Sequence, residues 1–290
     1  MCTYKRPNLL ARLLESLDDQ SFGYLFEVII VDNDPAGSAR AVADERAVTN
    51  PRFQVRYSIE TRQGISYARN RAVSMATGRY LAWIDDDEAA TPGWLSALWD
   101  ARSVRDVDAV FGPVIPVFPE NSYAWPVRSG LFERPRYLTG TVVTAHDART
   151  GNALVKADWH RMPATSFDDR LANFGGEDFE FFSRIEEQGA RFEWCDEAEV
   201  FEVVPIERQR LSWILERNLR VATLYWRIRS GSFAIVASRA LFGLALFAVL
   251  GMAGLVAAPF GFHRTVRLWC LAARGLGRIA AVSGVRWAGY

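Results

Sequence analysis

Cysteine is scarce in this sequence. Three of 290 residues are cysteines, Cys2, Cys195 and Cys270, far apart and without CxxC spacing. A disulfide scaffold and a thiolate zinc site are therefore not expected, and a reducing compartment fits. The three histidines, His146, His160 and His263, are dispersed. No charged start followed by an apolar run opens the chain, so no signal peptide is read. Internal repeats and low-complexity tracts are absent. Charged residues make up 23% and hydrophobic residues 50%, which excludes global disorder. That leaves apolar material for one large or two modest domains.

Carboxylates are missing altogether after Glu216. Residues 217–290 hold ten arginines and no acidic residue, so a net charge of 0 hides an acidic part and a basic tail. Such segregation suggests a catalytic or binding domain held against an anionic surface. Leu, Ala, Phe and Val dominate the tail, which favours a membrane over nucleic acid. Ala240–Phe262 carries no charge and is long enough to span a hydrocarbon core of ~30 Å. Gly243, Gly251, Gly254, Pro259 and Gly261 weaken a straight-helix reading. Arg227, Arg229 and Arg239 precede the run, and Arg264, Arg267, Arg274 and Arg278 follow it. Positive charge on both sides conflicts with a single span. It suits a re-entrant or interfacial segment, or a helical hairpin with Leu268–Val285 as second arm.

The first 110 residues read as alternating helix and strand. Leu9, Leu10, Leu13, Leu14 and Leu17 recur with helical period behind Pro7. Phe26–Val31, Gln54–Ile59 and Tyr80–Ile84 read as strands, and Ile65–Met75 as a helix with Ala68, Ala72 and Met75 inward, stopped by Gly78. Pro92 opens a helix through Trp99, and Ala109–Val114 is the next strand. Repeated βα units of this length give an α/β fold, a doubly wound, mostly parallel sheet with helices on both faces. Residues 116–150, with Pro116, Pro119, Pro126 and Pro135, read as an ordered excursion. Ala153–Val155 and Arg191–Trp194 read as strands, Glu177–Gln188 as a helix burying Phe181, Phe182 and Ile185, and Arg208 to about Arg229 as helical. The expected division is a domain over 1–215 and a basic, apolar helical region over 216–290.

The entry into the fold is abrupt. Either Cys2–Tyr4 is a stub strand, or a strand of about five residues belongs upstream, because such domains open with a strand. The second expectation implies an open groove beside Phe26–Val31.

Three local patterns can carry chemistry. Asp85-Asp86-Asp87-Glu88 follows an apolar strand, where a parallel sheet presents its ligand-binding edge. Asp85 and Asp87 can converge on a hard cation such as Mg²⁺ or Mn²⁺ bridging to phosphates, or the run can be a solvated loop. Asp32-Asn33-Asp34 ends another strand at the same edge, although Asn and Asp also serve turns. Arg69 and Asn70, behind Gly64, can reach that edge or, for Arg69, form a surface ion pair. Gly175-Gly176-Glu177-Asp178 places carboxylates in a helix's first turn, as caps or as a general base. In the excursion, Tyr123, Trp125 and Tyr137 suit sugar rings as well as core packing, and His146 can line a pocket or sit at the surface.

Together, Cys2-Thr3-Tyr4-Lys5-Arg6-Pro7, Val31-Asp32-Asn33, Gly64 to Asn70, Asp85-Asp86-Asp87 and Gly176-Glu177-Asp178 resemble the family-2 inverting glycosyltransferases. The likeness covers about residues 2–215 and is greatest to bacterial exopolysaccharide repeat-unit glucosyltransferases. It implies a GT-A fold and a UDP-sugar donor, with Thr3, Arg6, Asp32, Arg69, Asp85 and Asp86 binding the donor. Asp85 and Asp87 would hold Mn²⁺ or Mg²⁺, and Asp178 would be the catalytic base, with Glu177 next in line. A histidine common in the family after the last strand has no counterpart here, and Glu202 is the replacement candidate. The implied reaction moves a hexose, glucose favoured, to a lipid-linked oligosaccharide, giving a β-glycoside. The catalytic domain would face the cytoplasm at the bacterial inner membrane, with no nucleic-acid partner. The alternatives are a metal-dependent nucleotidyltransferase or other phosphate-handling α/β enzyme, and a non-catalytic membrane-bound nucleotide-sugar-binding module.

Overall fold

Leucines at helical spacing set the first helix. Leu10, Leu13, Leu14 and Leu17 are all buried, and Pro7 stands in the first turn, where its missing N–H has no helical partner to lose. The computed structural model describes residues 1–49, 52–162, 166–228 and 233–282. The chain opens with β1 (Cys2–Thr3), α1 (Pro7–Asp18), β2 (Glu27–Asp32), α2 (Arg40–Thr49), β3 (Gln54–Ile59), α3 (Ile65–Met75) and β4 (Tyr80–Ile84). It continues through β5 (Glu88–Ala90), α4 (Trp94–Arg105), β6 (Ala109–Phe111), β7 (Val114–Val117) and α5 (Ala124–Ser129). Next come β8 (Val142–Val143), β9 (Asn152–Lys156), α6 (Ala157–Arg161), α7 (Glu177–Glu187), β10 (Phe192–Trp194) and β11 (Val200–Val203). The last three helices are α8 (Leu211–Ile228), α9 (Phe233–Ala257) and α10 (Phe262–Ala280). Arg229, the expected end of α8, lies outside the described residues.

Two units emerge. The first comprises Met1–Ile115 and Arg134–Glu202; the second comprises Pro116–Glu133 and the described residues from Val203 to Val282. Sequence reading placed the division at 215/216 and left 116–133 with the first part.

In the first unit β1, β2 and β3 are parallel. A second sheet runs β4-β9-β6-β10-β8. Here β6 and β10 are parallel, whereas β9 is antiparallel to both β4 and β6, and β8 to β10. β9 enters from the long excursion rather than through a helical crossover, so no right-handed βαβ unit dictates its direction. A third sheet has the order β5-β11-β7, with β5 and β11 antiparallel. The strand expected over Ala109–Val114 breaks at Gly112. A Cβ there would lie 2.3 Å from the Ala198 carbonyl oxygen and 2.6 Å from Asn152 Nδ2, so only glycine allows this approach.

β1 is a two-residue strand, as the stub-strand alternative has it, and a cavity lies beside β2. Cys2 and Thr3 pair with Val31 and Asp32, and the Met1 amino group donates to the Ile29 carbonyl at 3.1 Å. Beyond Met1 a cavity of about 340 Å³ opens, lined by Phe26 and Ile29 on one side and Leu81, Trp83 and Trp99 on the other. Five β-branched apolar residues added ahead of Met1 should fill it. Burial of about 1.5–3 kcal/mol per side chain roughly offsets the ordering cost, and new backbone hydrogen bonds of about 1 kcal/mol each tip the balance, so Tm should rise by a few degrees. An unchanged or lower Tm by calorimetry would contradict this reading of the groove.

An aromatic core lies beneath the second sheet, where Phe111, Phe167, Phe181, Phe182 and Phe192 are fully buried. His160 stacks on Phe181 at 4.3 Å and accepts a hydrogen bond from Trp83 Nε1 at 3.1 Å. Burial, with Arg69 adding to it, pushes its pKa down to about 3. Between that value and the unfolded one near 6.5 the folded state binds fewer protons, so this stabilisation is full above about pH 6.5 and declines towards pH 3. Wild type should lose about 2 kcal/mol more than His160→Gln between pH 6.5 and 5, at roughly 1.4 kcal/mol per pH unit. Urea titrations at both pH values measure the difference; equal losses would refute it.

In the second unit Ile214, Val266 and Cys270 form a small core joined by Trp125 and Phe132. Trp125 meets Phe262 edge-on at 5.4 Å, which makes it a packing residue. Within the first unit Tyr137 donates to Asp147 at 2.7 Å and meets Trp194 edge-on, so its ring is also held in place. Tyr123 and His146 remain exposed. Ala237–Phe260, with mean hydropathy 2.4, is long and apolar enough to cross a membrane.

Candidate active site

The apolar run of β4 ends at Ile84, and the chain turns through Asp85, Asp86 and Asp87 before β5 begins at Glu88. Buried Glu88 accepts from the Asp85 backbone N–H at 2.9 Å through Oε2, which fixes the turn. Burial, with Asp85 beside it, raises the Glu88 pKa well above the usual carboxylate range. Gly151 lies against both groups. A Cβ there would stand 2.8 Å from Glu88 Oε1 and 3.3 Å from Asp85 Oδ2.

The loop after β1 clasps this turn. Thr3 Oγ1 donates to Asp86 Oδ2 at 2.7 Å, and Arg6 Nη1 lies 3.3 Å from both Asp86 Oδ1 and Asp87 Oδ2. Lys5 between them adopts a left-handed conformation, φ 54°, which turns the chain back so that Arg6 reaches the aspartates. The structure thus brings the expected donor-binding residues Thr3, Arg6 and Asp86 together with the expected metal ligand Asp87, through Thr3–Asp86, Arg6–Asp86 and Arg6–Asp87 contacts.

Arg69 joins the second acidic motif to the first. It is buried on α3, where Nη1 donates to Glu177 Oε1 and Nη2 lies 3.7 Å from Asp85 Oδ1. It is therefore an internal ion-pair residue, not the surface pair that was the alternative. Burial opposes its charge, but Glu177, Asp85 and Asp178 more than offset this and raise its pKa. Burial raises the pKa of Asp85, with Arg69 pulling the other way and Asp87, Asp86 and Glu202 adding to the rise. The Asp85 side chain remains 48% exposed and open to a ligand.

Gly175 and Gly176, at φ 79° and 81°, turn the chain into α7 in a conformation that side chains disfavour. The next two residues differ sharply. Glu177 is 5% exposed, its Oε2 has no partner, and burial raises its pKa. Asp178 is half-buried, and its Oδ1 accepts from the Phe179 backbone N–H at 2.7 Å.

Asp32 stands apart from this cluster in its bonding. It is fully buried, and its carboxylate accepts from the backbone N–H groups of Asp34 and Ala39 and from the Tyr57 hydroxyl. Asn33 ties the end of β2 to the loop behind β3 through Glu60, Arg62, Gln63 and Gly64. Asn70 bonds Phe167 and Asp169. Glu202 pairs with Arg134 at 3.2 Å and lies opposite Glu88 across β5 and β11. Arg134 went unnoticed in the sequence because it sits in a proline-rich excursion with no pattern around it.

Among the described residues no three His, Cys, Asp or Glu side chains gather into a metal shell. The donors present are hard carboxylate oxygens, Asp85 open and Asp87 shared with Arg6. That set fits Mg²⁺ or Mn²⁺, which retain waters and take further ligands from a substrate diphosphate.

The family model for glycosyl transferase family 2 matches residues 1–161. This chain belongs to glycosyl transferase family 2. The succinoglycan biosynthesis protein ExoM of Rhizobium meliloti (strain 1021) is 33% identical over 232 residues, 79% of this chain and 73% of that protein. The mannosyltransferase PcManGT of Pyrobaculum calidifontis, solved with GDP-Man and Mn²⁺, superposes with TM-score 0.61 at 20% identity. That alignment covers 97% of this chain and 84% of the other. TarS 1–349 of S. aureus, solved with UDP, superposes with TM-score 0.56 at 15% identity, covering 99% and 91%. The fold of this family-2 glycosyltransferase is thus GT-A, and membership displaces the nucleotidyltransferase alternative.

Proposed function

We propose that this family-2 glycosyltransferase is a metal-dependent, inverting hexosyltransferase of exopolysaccharide synthesis. It transfers a hexose, glucose favoured, from a UDP-sugar to a hydroxyl of a lipid-linked oligosaccharide at the cytoplasmic face of the bacterial inner membrane. The carrying observation is Arg69, whose guanidinium lies between Asp85 and Glu177 and holds the two acidic motifs at one edge. Likeness to ExoM, named for succinoglycan biosynthesis, supports the pathway class. UDP and Mn²⁺ in the related structures support the donor and the ion.

In this reading Thr3 and Arg6 set the loop that closes on the donor, Asp86 anchors that loop, and Asp32 shapes the nucleoside end. Asp85 and Asp87 would hold a divalent ion, which would supply positive charge to offset the negative charge developing on the departing diphosphate. Asp178 removes the acceptor hydroxyl proton as that oxygen attacks the anomeric carbon from the face opposite UDP. One C–O bond forms and the bond to the diphosphate breaks, so an α-linked donor yields a β-glycoside. Glu177, buried on Arg69, positions the start of α7.

A donor screen on detergent-solubilised full chain, with Mn²⁺ or Mg²⁺ and a lipid-diphosphate oligosaccharide, tests the assignment. The expected result is UDP release coupled to a heavier lipid-linked product. Binding without turnover across all donors and acceptors would favour the non-catalytic alternative.

A further inference from the structure

Within the second unit α9 has one partnered side. Gly243 and Gly254 are its only buried residues between 237 and 260. A Cβ on Gly243 would lie 2.4 Å from the Gly275 carbonyl oxygen, and one on Gly254 2.5 Å or less from the Trp269 ring. Trp269 Nε1 donates to the Gly251 carbonyl at 3.3 Å. These pairs run in opposite directions along the two helices, so α10 lies antiparallel along α9 from the Ala258–Gly261 turn. Between 237 and 257 the opposite side of α9 is open: Leu241, Val249, Met252 and Val256 are each more than 60% exposed.

The second face of α10 is taken by α8. Arg274 Nε donates to Asn218 Oδ1 at 2.8 Å, and Gly277 sits against Leu219 and Ala222. Arginines follow the whole length of this layer: Arg264, Arg267, Arg274 and Arg278 on α10, and Arg217, Arg220 and Arg227 on α8, with Glu216 beside them. The turn end of α10 is anchored too, because Phe262 packs on Trp125 of α5 and Arg267 Nε donates to the Ser129 carbonyl. Arg278 and Arg239 face the Trp226 ring at the other end.

We infer that α9 lies in the plane of one leaflet of an anionic bilayer and does not cross it, with α10 and α8 holding it from the water side. A crossing α9 would drag the mid-helix arginines of α10 and α8 into hydrocarbon, where charge is strongly disfavoured. An in-plane α9 buries its open apolar face and leaves those arginines at headgroup level, where anionic lipid complements them. The expected second arm, Leu268–Val285, is replaced by Phe262–Ala280, whose arginines suit a surface layer; 283–285 lie outside the described residues. This inference rests on the membrane association proposed above and specifies its geometry.

The test uses full chain carrying bimane on Leu241→Cys, Val249→Cys or Val256→Cys, bound to phosphatidylcholine vesicles with and without phosphatidylglycerol. Nitroxide lipids quench at known depths. All three sites should report the same shallow depth, and phosphatidylglycerol should increase pelleting in a salt-sensitive way. Ser238→Cys and Phe260→Cys should both react with a membrane-impermeant maleimide added outside intact vesicles. A deep Val249 between shallow ends, or Phe260→Cys protected until lysis, would overturn the in-plane geometry while leaving membrane association standing. Pelleting without quenching at any site would overturn insertion alone. Absence of pelleting would overturn both.

Discussion

Asp178→Asn should lower kcat by about 10²–10⁴-fold, the usual contribution of a positioned general base, while donor affinity barely changes. The structure explains why this substitution is clean. Asn keeps an oxygen for the Phe179 backbone N–H, which Asp178 Oδ1 engages at 2.7 Å, so the first turn of α7 stays capped. The side chain is half-buried, so no internal cavity opens. Only proton acceptance is lost. Glu177 behaves in the opposite sense. Its buried carboxylate neutralises Arg69, and Glu177→Ala leaves that guanidinium with Asp85 at 3.7 Å and the weaker influence of Asp178. Breaking a buried pair typically costs about 3–5 kcal/mol, so this variant should lose Tm before it loses chemistry. Turnover and melting curves for both variants separate the roles. Near-normal turnover in Asp178→Asn would move the base elsewhere, and loss of activity through unfolding would return Asp178 to a capping role.

The second large effect concerns the cation. Mn²⁺ should tighten UDP-sugar binding to wild type, and Asp87→Asn should abolish most of that gain. A bound divalent ion offsets several kcal/mol of developing charge, so kcat/KM for Asp87→Asn should fall by about 10²-fold or more. Loss of the ion pair with Arg6, whose side chain is 40% exposed, costs little stability by comparison. Calorimetric titration of a UDP-sugar, with and without Mn²⁺, into both proteins measures the coupling. Equal affinities in all four combinations would rule out the metal role of Asp87.

Much of this was legible in the sequence where one element carried its own signal. The apolar stripe of α1 and the buried face of α7 follow from helical periodicity, and β2 from a short apolar run ending at Asp32. Gln54–Ile59, Ile65–Met75 and Tyr80–Ile84 coincide with β3, α3 and β4. The two- to four-residue strands β5, β7, β8 and β11 were not legible, because so few residues cannot establish a period of two. The reversal of β9 is likewise a property of chain path rather than of its five residues. At the site, the aspartate run and Gly176-Glu177-Asp178 announced themselves as charge placed where charge is costly. The bridge through Arg69 did not, since joining Asp85 to Glu177 requires α3, β4 and α7 to be assembled. Nor did the sequence reveal that adjacent Glu177 and Asp178 have opposite exposure, which follows from how α7 packs on the aromatic core.

The anomeric configuration of the first product tests the central claim most directly. With an α-linked UDP-hexose, proton NMR of the purified glycolipid should show a β-linkage, as expected when Asp178 activates the acceptor for one in-line displacement. An α-linked product would contradict that mechanism and require a second displacement or a different attacking face.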